Sequence, residues 1–248
     1  MKRFAADLHV HTALSPCADD ALTPPAVVLA AMDAGLDLIA ICDHNTAGNA
    51  AAVQEVADGP GEGRVAVIPG IEITTAEEVH VVALFPDTAT AAAAAAAVLA
   101  GLPSYEAGAR RLGRQLLMNG DGDIVGEESK MLSAASLFPL AQAVAYVHRC
   151  GGLAIAAHVD RPSFSVCGQL GFFPPDVRFD AIEISAAGHD QGRDAEFRVL
   201  GLPLIFASDS HSLDEIGATR SYFELEAPDF HGLARALRNA GGRTYGIA

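Results

Sequence analysis

The amino-acid sequence predicts one α/β domain folded as a parallel barrel of about seven strands with intervening helices. Three observations lead to this fold class. Strand-like and helix-like segments alternate along the chain, no proline- or serine-rich linker divides the 248 residues, and half of the residues are apolar. A chain of this length can bury a large core, and such alternation is typical of a parallel sheet covered by helices.

The strand-like segments are short apolar runs, several almost uninterrupted, as expected for strands buried on both faces. We predict strands at residues 3–10, 36–42, 64–75, 79–85, 152–157, 180–185, 204–207 and 220–225. We predict helices at residues 21–35, 139–150 and 230–240. Two more are predicted in the segment of alanine and valine that ends at about Asp58 and in the alanine-rich run after Thr88. Thr23 followed by two prolines is a helix-start signal, and Gly35 is a helix-stop signal.

Residues 102–135 interrupt this alternation. They carry scattered charges and the turn dipeptides Asn119-Gly120 and Asp121-Gly122, so we interpret them as a helix followed by a hairpin. The glycines of residues 59–63 precede a strand instead of opening a helix, which argues against a dinucleotide-binding loop. We therefore expect a single domain over residues 1–248, with an irregular insertion at about 102–135.

The charge balance disfavours one class of partner. The chain has 31 acidic and 16 basic residues, a net charge of −15, and no run rich in lysine or arginine. An extended surface for binding nucleic acid is therefore not expected. A small anionic substrate remains compatible with this charge, because bound metal ions would offset it locally.

Cysteine usage and apolar patterning predict the compartment. The four cysteines show no paired spacing and no Cys-x-x-Cys motif. The first residues run directly into a strand, so we expect no signal peptide, and no apolar run reaches the length of a membrane span. We expect a reducing cytoplasm, free or metal-ligating thiols, and no membrane partner.

Residues suited to metal binding lie at the predicted strand ends. His9 and His11 are at i and i+2 near the end of the first strand, so their side chains point to the same side. Further candidates at later strand ends are His44, Glu72, His158, Asp209 and His211, and the strand at 79–85 carries His80. The C-terminal strand ends of such barrels meet at one face. The sequence therefore predicts a metal site there.

In order and type, these residues resemble the PHP (polymerase and histidinol phosphatase) superfamily over nearly the whole chain. The matching motifs are His9-x-His11, Asp43-His44, Glu72 with His80, Ala157-His158 and Asp209-x-His211. The order of the motifs is more similar to that of small stand-alone phosphoesterases than to that of the domains appended to polymerases. The resemblance implies a distorted (β/α)7 TIM-like barrel with two to three divalent metal ions, and Zn, Mn and Fe suit imidazole and carboxylate ligands.

The resemblance also implies how the ligands are shared among three ions. The first ion is assigned His9, His11, Glu72 and Asp209. The second is assigned Glu72, as a bridging carboxylate, with His80 and His158. The third is assigned His44 and His211, with one more ligand from the loop after the first strand. Bridging carboxylates hold metals about 3.5–4 Å apart in two-metal phosphoesterases.

The loop ligand is where this chain departs from the family pattern, which usually offers Asp or His. The loop reads Ser15-Pro16-Cys17-Ala18-Asp19-Asp20. Cys17 has the spacing from His11 at which some members carry His, and a thiolate is a soft ligand suited to Zn or Fe(II). Asp19 is the alternative, because a difference of one or two residues in loop length would bring it into the site. We favour Cys17.

Three more residues near the predicted ligands have two interpretations each. Asp7 and Asp43 adjoin the histidine motifs and either orient imidazoles or are solvated acids at strand ends. Arg161 follows His158 by three residues and either binds a substrate phosphate or forms a structural ion pair. Lys130 and Arg110 are weaker candidates for a substrate lid, and we assign no metal to His148, His189 or His231.

The leading functional hypothesis is hydrolysis of a phosphomonoester or phosphodiester by a metal-activated hydroxide. The substrate classes are a nucleotide, a nucleoside bisphosphate or a short oligonucleotide end. Glu72, Asp209 and His211 are the expected catalytic residues. A metal-bound water, Asp209 or a nearby histidine would protonate the leaving group. Specificity would come from the loops at residues 102–135 and 159–175.

Three alternatives stand beside this hypothesis. Similar His-x-His barrels cleave C–N bonds as amidohydrolases, and a histidinol-phosphatase-like enzyme would act on a small phosphorylated molecule. A non-catalytic metal-binding module would require lost ligands, and here the expected set is complete. Metal stoichiometry separates the first alternative, because three ions favour phosphoester chemistry. The chain lacks the Gly-x-Ser-x-Gly motif of serine hydrolases.

Overall fold

The computed structural model describes residues 1–105, 113–238 and 245–246. The strands of its main sheet are β1 (Lys2–Val10), β2 (Leu38–Ile41), β3 (Ala66–Thr74), β4 (His80–Leu84), β7 (Leu153–Ala156), β8 (Ala181–Ile184), β9 (Leu204–Phe206), β10 (Ser221–Leu225) and β11 (Tyr245–Gly246). A separate hairpin consists of β5 (Leu116–Met118) and β6 (Ile124–Glu127). The helices are α1 (Pro24–Asp33), α2 (Ala50–Asp58), α3 (Thr88–Leu99), α4 (Leu140–Arg149), α5 (Val166–Leu170), α6 (Ala186–Asp190), α7 (Asp194–Phe197) and α8 (Phe230–Arg238).

The main sheet has the strand order β11-β10-β1-β2-β3-β4-β7-β8-β9 and nearly closes on itself. A parallel bridge between Val10 and Ser210 brings the chain after β9 against the end of β1. The Phe206 N–H donates to Ser221 Oγ over 2.7 Å, which ties β9 to β10 at the same seam. The predicted class, a distorted TIM-like barrel, is confirmed.

The barrel is not entirely parallel, which corrects one expectation. β4 is antiparallel to both β3 and β7, and β10 is antiparallel to β1. The connection between β3 and β4 is only five residues long, from Thr75 to Val79. A parallel crossover needs a dozen or more residues, so this link can only form a hairpin.

Apolar side chains alternate between the two faces of the strands, as period-2 geometry requires. On one face they pack against α8, and residues such as Leu38, Val82 and Ile155 form this barrel interior. On the other face they pack against α1 to α4, with Ile39 and Val81 among them. The barrel interior is thus filled with side chains.

The predicted helix starts and stops are confirmed to within a few residues. Thr23 caps α1 by accepting a hydrogen bond from the Ala26 N–H at 3.4 Å, so the helix begins at Pro24 rather than at residue 21. The chain leaves the helix through Gly35, whose φ of +70° is in the left-handed region that suits glycine.

Within residues 102–135 the structure shows the predicted hairpin. Asn119 Oδ1 accepts hydrogen bonds from the Asp121 and Asp123 N–H groups at 3.1 and 2.8 Å, which closes the turn. Lys130 Nζ donates to the Leu102 carbonyl at 2.9 Å, so this lysine joins the two ends of the segment. The helix predicted before the hairpin falls largely on residues 106–112, and these, with Arg110, lie outside the described residues.

In the part of the chain that the structure describes, no helix combines the length and apolarity needed to cross a membrane.

Candidate metal centre

The site lies above the barrel interior, at the edge where the parallel strands end. Glu72 and Glu183 follow the interior residues Ile68 and Ala181 by even numbers of positions, so their side chains share the interior face. His80 begins β4. Because β4 runs antiparallel, its first residue lies at the same edge as the last residues of its parallel neighbours.

Glu72 is the centre of the site. Its carboxylate is 1% exposed and lies within 3.5 Å of five imidazole nitrogens. The nearest are His80 Nδ1, 2.7 Å from Oε1, and His44 Nδ1, 2.9 Å from Oε2. Three others complete the group: His158 at 3.2 Å, His11 at 3.4 Å and His9 at 3.5 Å.

His9 and His11 meet as their spacing predicted, with their Nε2 atoms 3.2 Å apart. The pairing of β1 with β2 shifts register between Asp7 and Val10, an irregularity that re-aims side chains locally. His9 Nδ1 lies 2.9 Å from Glu183 Oε2 and, since a carboxylate only accepts, donates to it. His9 Nε2 is then the ring nitrogen directed at the cluster, in the orientation of a metal ligand.

His11 is oriented through a relay. Its Nδ1 is 2.8 Å from Ser15 Oγ, and the Ser15 hydroxyl donates to Asp43 Oδ1 at 2.7 Å. Because the hydroxyl hydrogen points to Asp43, Ser15 Oγ accepts from His11 Nδ1, which leaves His11 Nε2 unprotonated. Asp43 thus orients an imidazole indirectly, and it is buried rather than solvated.

Asp7 is also buried, but its carboxylate binds residues of the chain after β9 instead of an imidazole. It accepts hydrogen bonds from the Ser208 hydroxyl at 2.6 Å and the Gly217 N–H at 2.8 Å. Burial outweighs these bonds and raises the pKa of the Asp7 carboxyl to about 6. Its side chain contacts no imidazole among the described residues, so its role is to hold the chain after β9 in place.

Asp209 follows β9 in the left-handed conformation, with φ +51°. Its Oδ1 lies 3.0 Å from His11 Nε2 and 3.3 Å from His9 Nε2. Its backbone carbonyl accepts from His211 Nδ1 at 2.8 Å, which turns His211 Nε2 toward the cluster. Asp209 Oδ2 pairs with Arg161 Nη1, so the arginine does form an ion pair, at the edge of the site.

Cys17 lies between two of the predicted ligands. Its Sγ is 3.2 Å from His44 Nε2 and 3.1 Å from His211 Nε2. Burial alone would raise the pKa of the thiol, but hydrogen bonds with His211 and His44 outweigh it and lower the pKa to about 7. Asp19 is exposed, and its Oδ1 accepts from the Ala21 N–H at 2.8 Å. The structure thus brings Cys17, and not Asp19, to the other candidates.

In the metal-free protein, His11 and Glu72 are in the forms that metal ions bind. Burial, with the neighbouring His211, lowers the pKa of the His11 imidazole to about 3. Burial would raise the pKa of the Glu72 carboxyl, but His80 and His9 help to hold it well below its usual range. A neutral imidazole and an ionised carboxylate are both competent ligands.

Burial would lower the pKa values of His9, His44 and His211, but neighbouring carboxylates and the Cys17 thiol outweigh it and raise them. These imidazoles therefore release a proton when an ion binds.

Sequence reasoning missed Glu183 and Ser15. Glu183 is completely buried, and it is the acidic member of the otherwise apolar strand Ala-Ile-Glu-Ile. A charged residue inside an apolar strand was the available signal, since such residues are almost never fully buried unless paired. Ser15 carried no comparable signal, because serine is common in loops.

Three histidines that were assigned no metal lie away from the cluster. His148 pairs with Asp180 at 2.9 Å, and the His189 ring packs edge-on against Phe206. His231 packs against the ring of its neighbour Phe230.

Two cavities open from the cluster. The smaller, about 210 Å³, is lined by cluster residues together with Arg161, Ser163 and Phe164. The larger, about 700 Å³, is lined by Arg161, Arg193 and the N-terminal part of α6. Arg161 belongs to both walls, as do Asp209 and His211, so the cavities adjoin.

The donor set fits divalent cations. Ligand atoms within 4.8 Å of one another form three groups: His9 with His11, Glu72 and Asp209; His44 with Glu72 and His80; and His11 with His44 and His211. Glu72 Oε2 and His44 Nδ1 are buried and, although 2.9 Å apart, lack the geometry of a hydrogen bond. Buried polar atoms without partners are rare in proteins, and a bound ion satisfies both. The cluster therefore has the composition of a divalent metal site.

No protein-family model matches the chain, and no curated protein matches it. Solved structures do. Endonuclease Q from Pyrococcus furiosus, described as lesion-specific, matches with TM-score 0.69 and 15% identity over 99% of this chain and 58% of that one. Endonuclease Q in complex with a 27-mer duplex bearing an abasic lesion at the active site matches with TM-score 0.63 and 16% identity, over 97% and 58% of the two chains.

Two smaller proteins also match. A proposed metal-dependent phosphoesterase from Bifidobacterium adolescentis has TM-score 0.54 and 21% identity, over 83% of this chain and 87% of that one. An amidohydrolase from Chromobacterium violaceum, with bound sulfate and no metal, has TM-score 0.60 and 20% identity, over 94% and 96%.

These likenesses establish that the chain shares a distorted α/β barrel fold with these structures, and its own strand ends carry the cluster of histidines and carboxylates. They agree with the barrel fold that the motif resemblance implied. At 15–21% identity they establish the shared fold, and the named activities remain those of the other proteins. The chain spans 58% of the length of the endonuclease Q structures.

Proposed function

We propose that this protein is a metal-dependent hydrolase of phosphate esters. The observation that carries the proposal is the Glu72 carboxylate, buried at the strand-end edge and surrounded by five imidazoles. Five imidazoles around one buried carboxylate are more than its charge needs as ion-pair partners. This arrangement suits a cluster of first-row metal ions, and the fold neighbours described as an endonuclease and a phosphoesterase favour phosphoester chemistry.

The proposed ligands form three sets. His9, His11, Glu72 and Asp209 hold the first ion. Glu72 would be shared with a second ion, which His80 and His158 would also hold. His44 and His211 hold a third ion with Cys17. The first set coincides with one observed group of close ligand atoms, whereas the other two groups combine His44 with Glu72 and His80, and His11 with His44 and His211. Zn, Mn and Fe are the candidate metals.

Divalent ions bound there would supply Lewis acidity and lower the pKa of a water molecule toward neutrality. The protein supplies positioning. Glu183 and the Ser15–Asp43 relay fix the tautomers of His9 and His11, so that both present Nε2. Arg161, half-exposed beside Asp209, is placed to donate to a non-bridging oxygen of a phosphate. Asp209 and His211 line both cavities and are the candidates for moving a proton to the leaving oxygen.

The proposed substrate is small: a nucleotide, a nucleoside bisphosphate or the end of a short oligonucleotide. The net charge of −15 opposes binding along an extended nucleic acid strand. Endonuclease Q is described with a 27-mer duplex, but this chain spans only 58% of that protein. A short substrate needs only the two cavities beside the cluster.

Hydrolysis of a C–N bond is the second candidate, favoured by the likeness to the amidohydrolase from Chromobacterium violaceum. That structure contains sulfate, a tetrahedral anion with the shape of a phosphoryl group, which is compatible with either chemistry.

Metal analysis combined with a substrate panel tests the proposal. The protein is purified, its Zn, Mn and Fe are counted, and phosphorylated metabolites, nucleotides, short oligonucleotides and amides are assayed together. We expect two to three ions per chain and turnover of at least one phosphate ester. Full metal occupancy with turnover of amides alone would establish the second candidate instead, and full occupancy without any turnover would contradict both.

A further inference from the structure

Phe164 is a large aromatic residue exposed at the mouth of the metal centre. It belongs to the loop between β7 and α5, and 43% of its surface is accessible. Its backbone has φ +57°, a left-handed conformation that bulky side chains rarely adopt. Backbone outliers of this kind persist where the surroundings impose them, and they cluster at functional sites.

Hydrogen bonds on both sides impose the conformation. The His80 N–H donates to the Phe164 carbonyl at 2.8 Å, which joins the loop to the start of β4. The next residue, Ser165, donates to the Arg161 carbonyl at 2.6 Å and caps α5 by accepting from the Gly168 N–H at 2.9 Å. Because Arg161 and Phe164 belong to one closed turn, their positions at the cavity are linked.

The ring of Phe164 lies nearly parallel to the His80 imidazole, with centroids 4.8 Å apart and an interplanar angle of 22°. His80 Nδ1 is itself 2.7 Å from Glu72 Oε1. The phenyl ring is therefore one stacked ring away from the central carboxylate, and it lines the small cavity together with Arg161 and Asp209. One face of the ring packs on His80, and the residue remains 43% accessible at the cavity, where a ligand could contact it.

We infer that Phe164 is a specificity-determining residue that stacks on the base of a nucleotide whose phosphate lies at the Glu72 cluster. This inference rests on the proposed phosphoesterase function and narrows its substrate class to mononucleotides or nucleotide ends. Stacking is suited to this chain because it does not depend on charge, whereas a net charge of −15 weakens the attraction of anionic substrates to the surface. It also tolerates any base, since every base has a π-face.

The competing role is protection: Phe164 would only exclude water from His80. The two roles differ in what a substitution does to ligands with and without a base. A stacking residue affects only the ligand that carries a ring, whereas a shield for His80 affects every ligand of the metal centre.

The experiment compares adenosine 5′-monophosphate with ribose 5-phosphate, which lacks the base. Binding is measured by calorimetry on the metal-loaded protein, and turnover is measured separately. We expect wild type to bind the nucleotide more tightly, and Phe164→Ala to weaken nucleotide binding by at least about fivefold while ribose 5-phosphate is unaffected. Phe164→Leu, which keeps apolar volume without a ring, should behave like alanine, and Phe164→Tyr should restore binding.

Phe172→Ala is the matched control, because Phe172 is also exposed but does not line either cavity. Equal losses for both ligands, no loss for either, or a wild type without preference for the nucleotide would overturn the inference. Ring-dependent nucleotide binding without hydrolysis of any phosphate ester would instead leave the inference standing and contradict the proposed function. Hydrolysis of phosphate esters that does not depend on the Phe164 side chain would support the proposed function and contradict the inference.

Discussion

The deep half of the candidate metal centre and its rim are built in different ways. The deep half consists of His9, His11, Glu72 and Asp209, all buried. The rim consists of Cys17, His44 and His211, of which Cys17 is exposed. In the deep half, each imidazole has its second nitrogen held by a dedicated partner, Glu183 for His9 and Ser15 for His11. At the rim, a thiol in a loop joins two histidines from different strand ends.

The difference in construction suggests that the deep half and the rim have different roles in binding metal ions. Buried ligands with fixed tautomers are preorganised, so little rearrangement is needed when an ion binds. A rim built on an exposed thiol is open to solvent and to reagents, and it depends on the ionisation of Cys17. We expect the deep half to determine whether the protein is active at all, and the rim to tune how many ions it holds.

Replacing the centre of the deep half should have the largest effect. Glu72→Gln keeps the shape but removes the negative charge that lies among five imidazoles. Because Lewis-acid stabilisation is worth several kcal/mol, we expect kcat/KM to fall by about 10³-fold or more, with loss of bound metal. Metal analysis and turnover of the best panel substrate check this. Glu55→Gln, on the exposed face of α2, is the control; wild-type metal content in Glu72→Gln would refute the bridging role.

Cys17→Ser tests the rim. Serine is a much poorer ligand than a thiolate for Zn or Fe(II), so we expect the loss of about one ion per chain and roughly a 10²-fold decrease in kcat. Asp19→Asn should retain every ion, because its carboxylate binds the Ala21 N–H. Cys150→Ser controls for the loss of a thiol elsewhere. Full metal content in Cys17→Ser would exclude the thiol as a ligand.

Glu183→Gln tests whether the partners of the deep imidazoles matter. The amide still fits the space but no longer stabilises the His9 N–H with a charge, so metal affinity should fall by about 10- to 100-fold. Competition with a fluorescent chelator measures this affinity. Glu224→Gln, exposed on β10, should bind metal as wild type does. An unchanged affinity in Glu183→Gln would mean that packing alone orients His9.

The smallest effect concerns the reactivity of Cys17, which should depend on pH when the rim holds no metal. The pKa of Cys17 is lowered to about 7 by its histidine neighbours, so its thiolate fraction rises with pH and is half-maximal near pH 7. Alkylation by iodoacetamide, followed by mass spectrometry, should have that midpoint, and added Zn²⁺ should suppress it. His211→Ala should move the midpoint upward. A midpoint at the usual thiol value in the metal-free wild type would contradict the arrangement of the rim.

Much of the barrel and most of the ligand set could be predicted from local patterns. Apolar runs such as residues 36–42 are characteristic of buried strands, and Thr23 with the following prolines predicts where α1 begins. His9 and His11 were recognisable because period-2 geometry places i and i+2 on one side. The antiparallel direction of β4 was implied by the five-residue link after β3, a constraint that the strand-then-helix pattern concealed.

The sequence by itself determined which residue types are available and at which strand ends they lie, since both are local properties. Only the tertiary structure decided their partners: Glu183 with His9 across 174 positions, Cys17 rather than Asp19 beside His44, and Phe164 over His80. These choices depend on the near-closure of the sheet, which brings distant strand ends within hydrogen-bonding distance. No periodicity in the chain encodes such contacts, because they arise from the packing of the whole barrel.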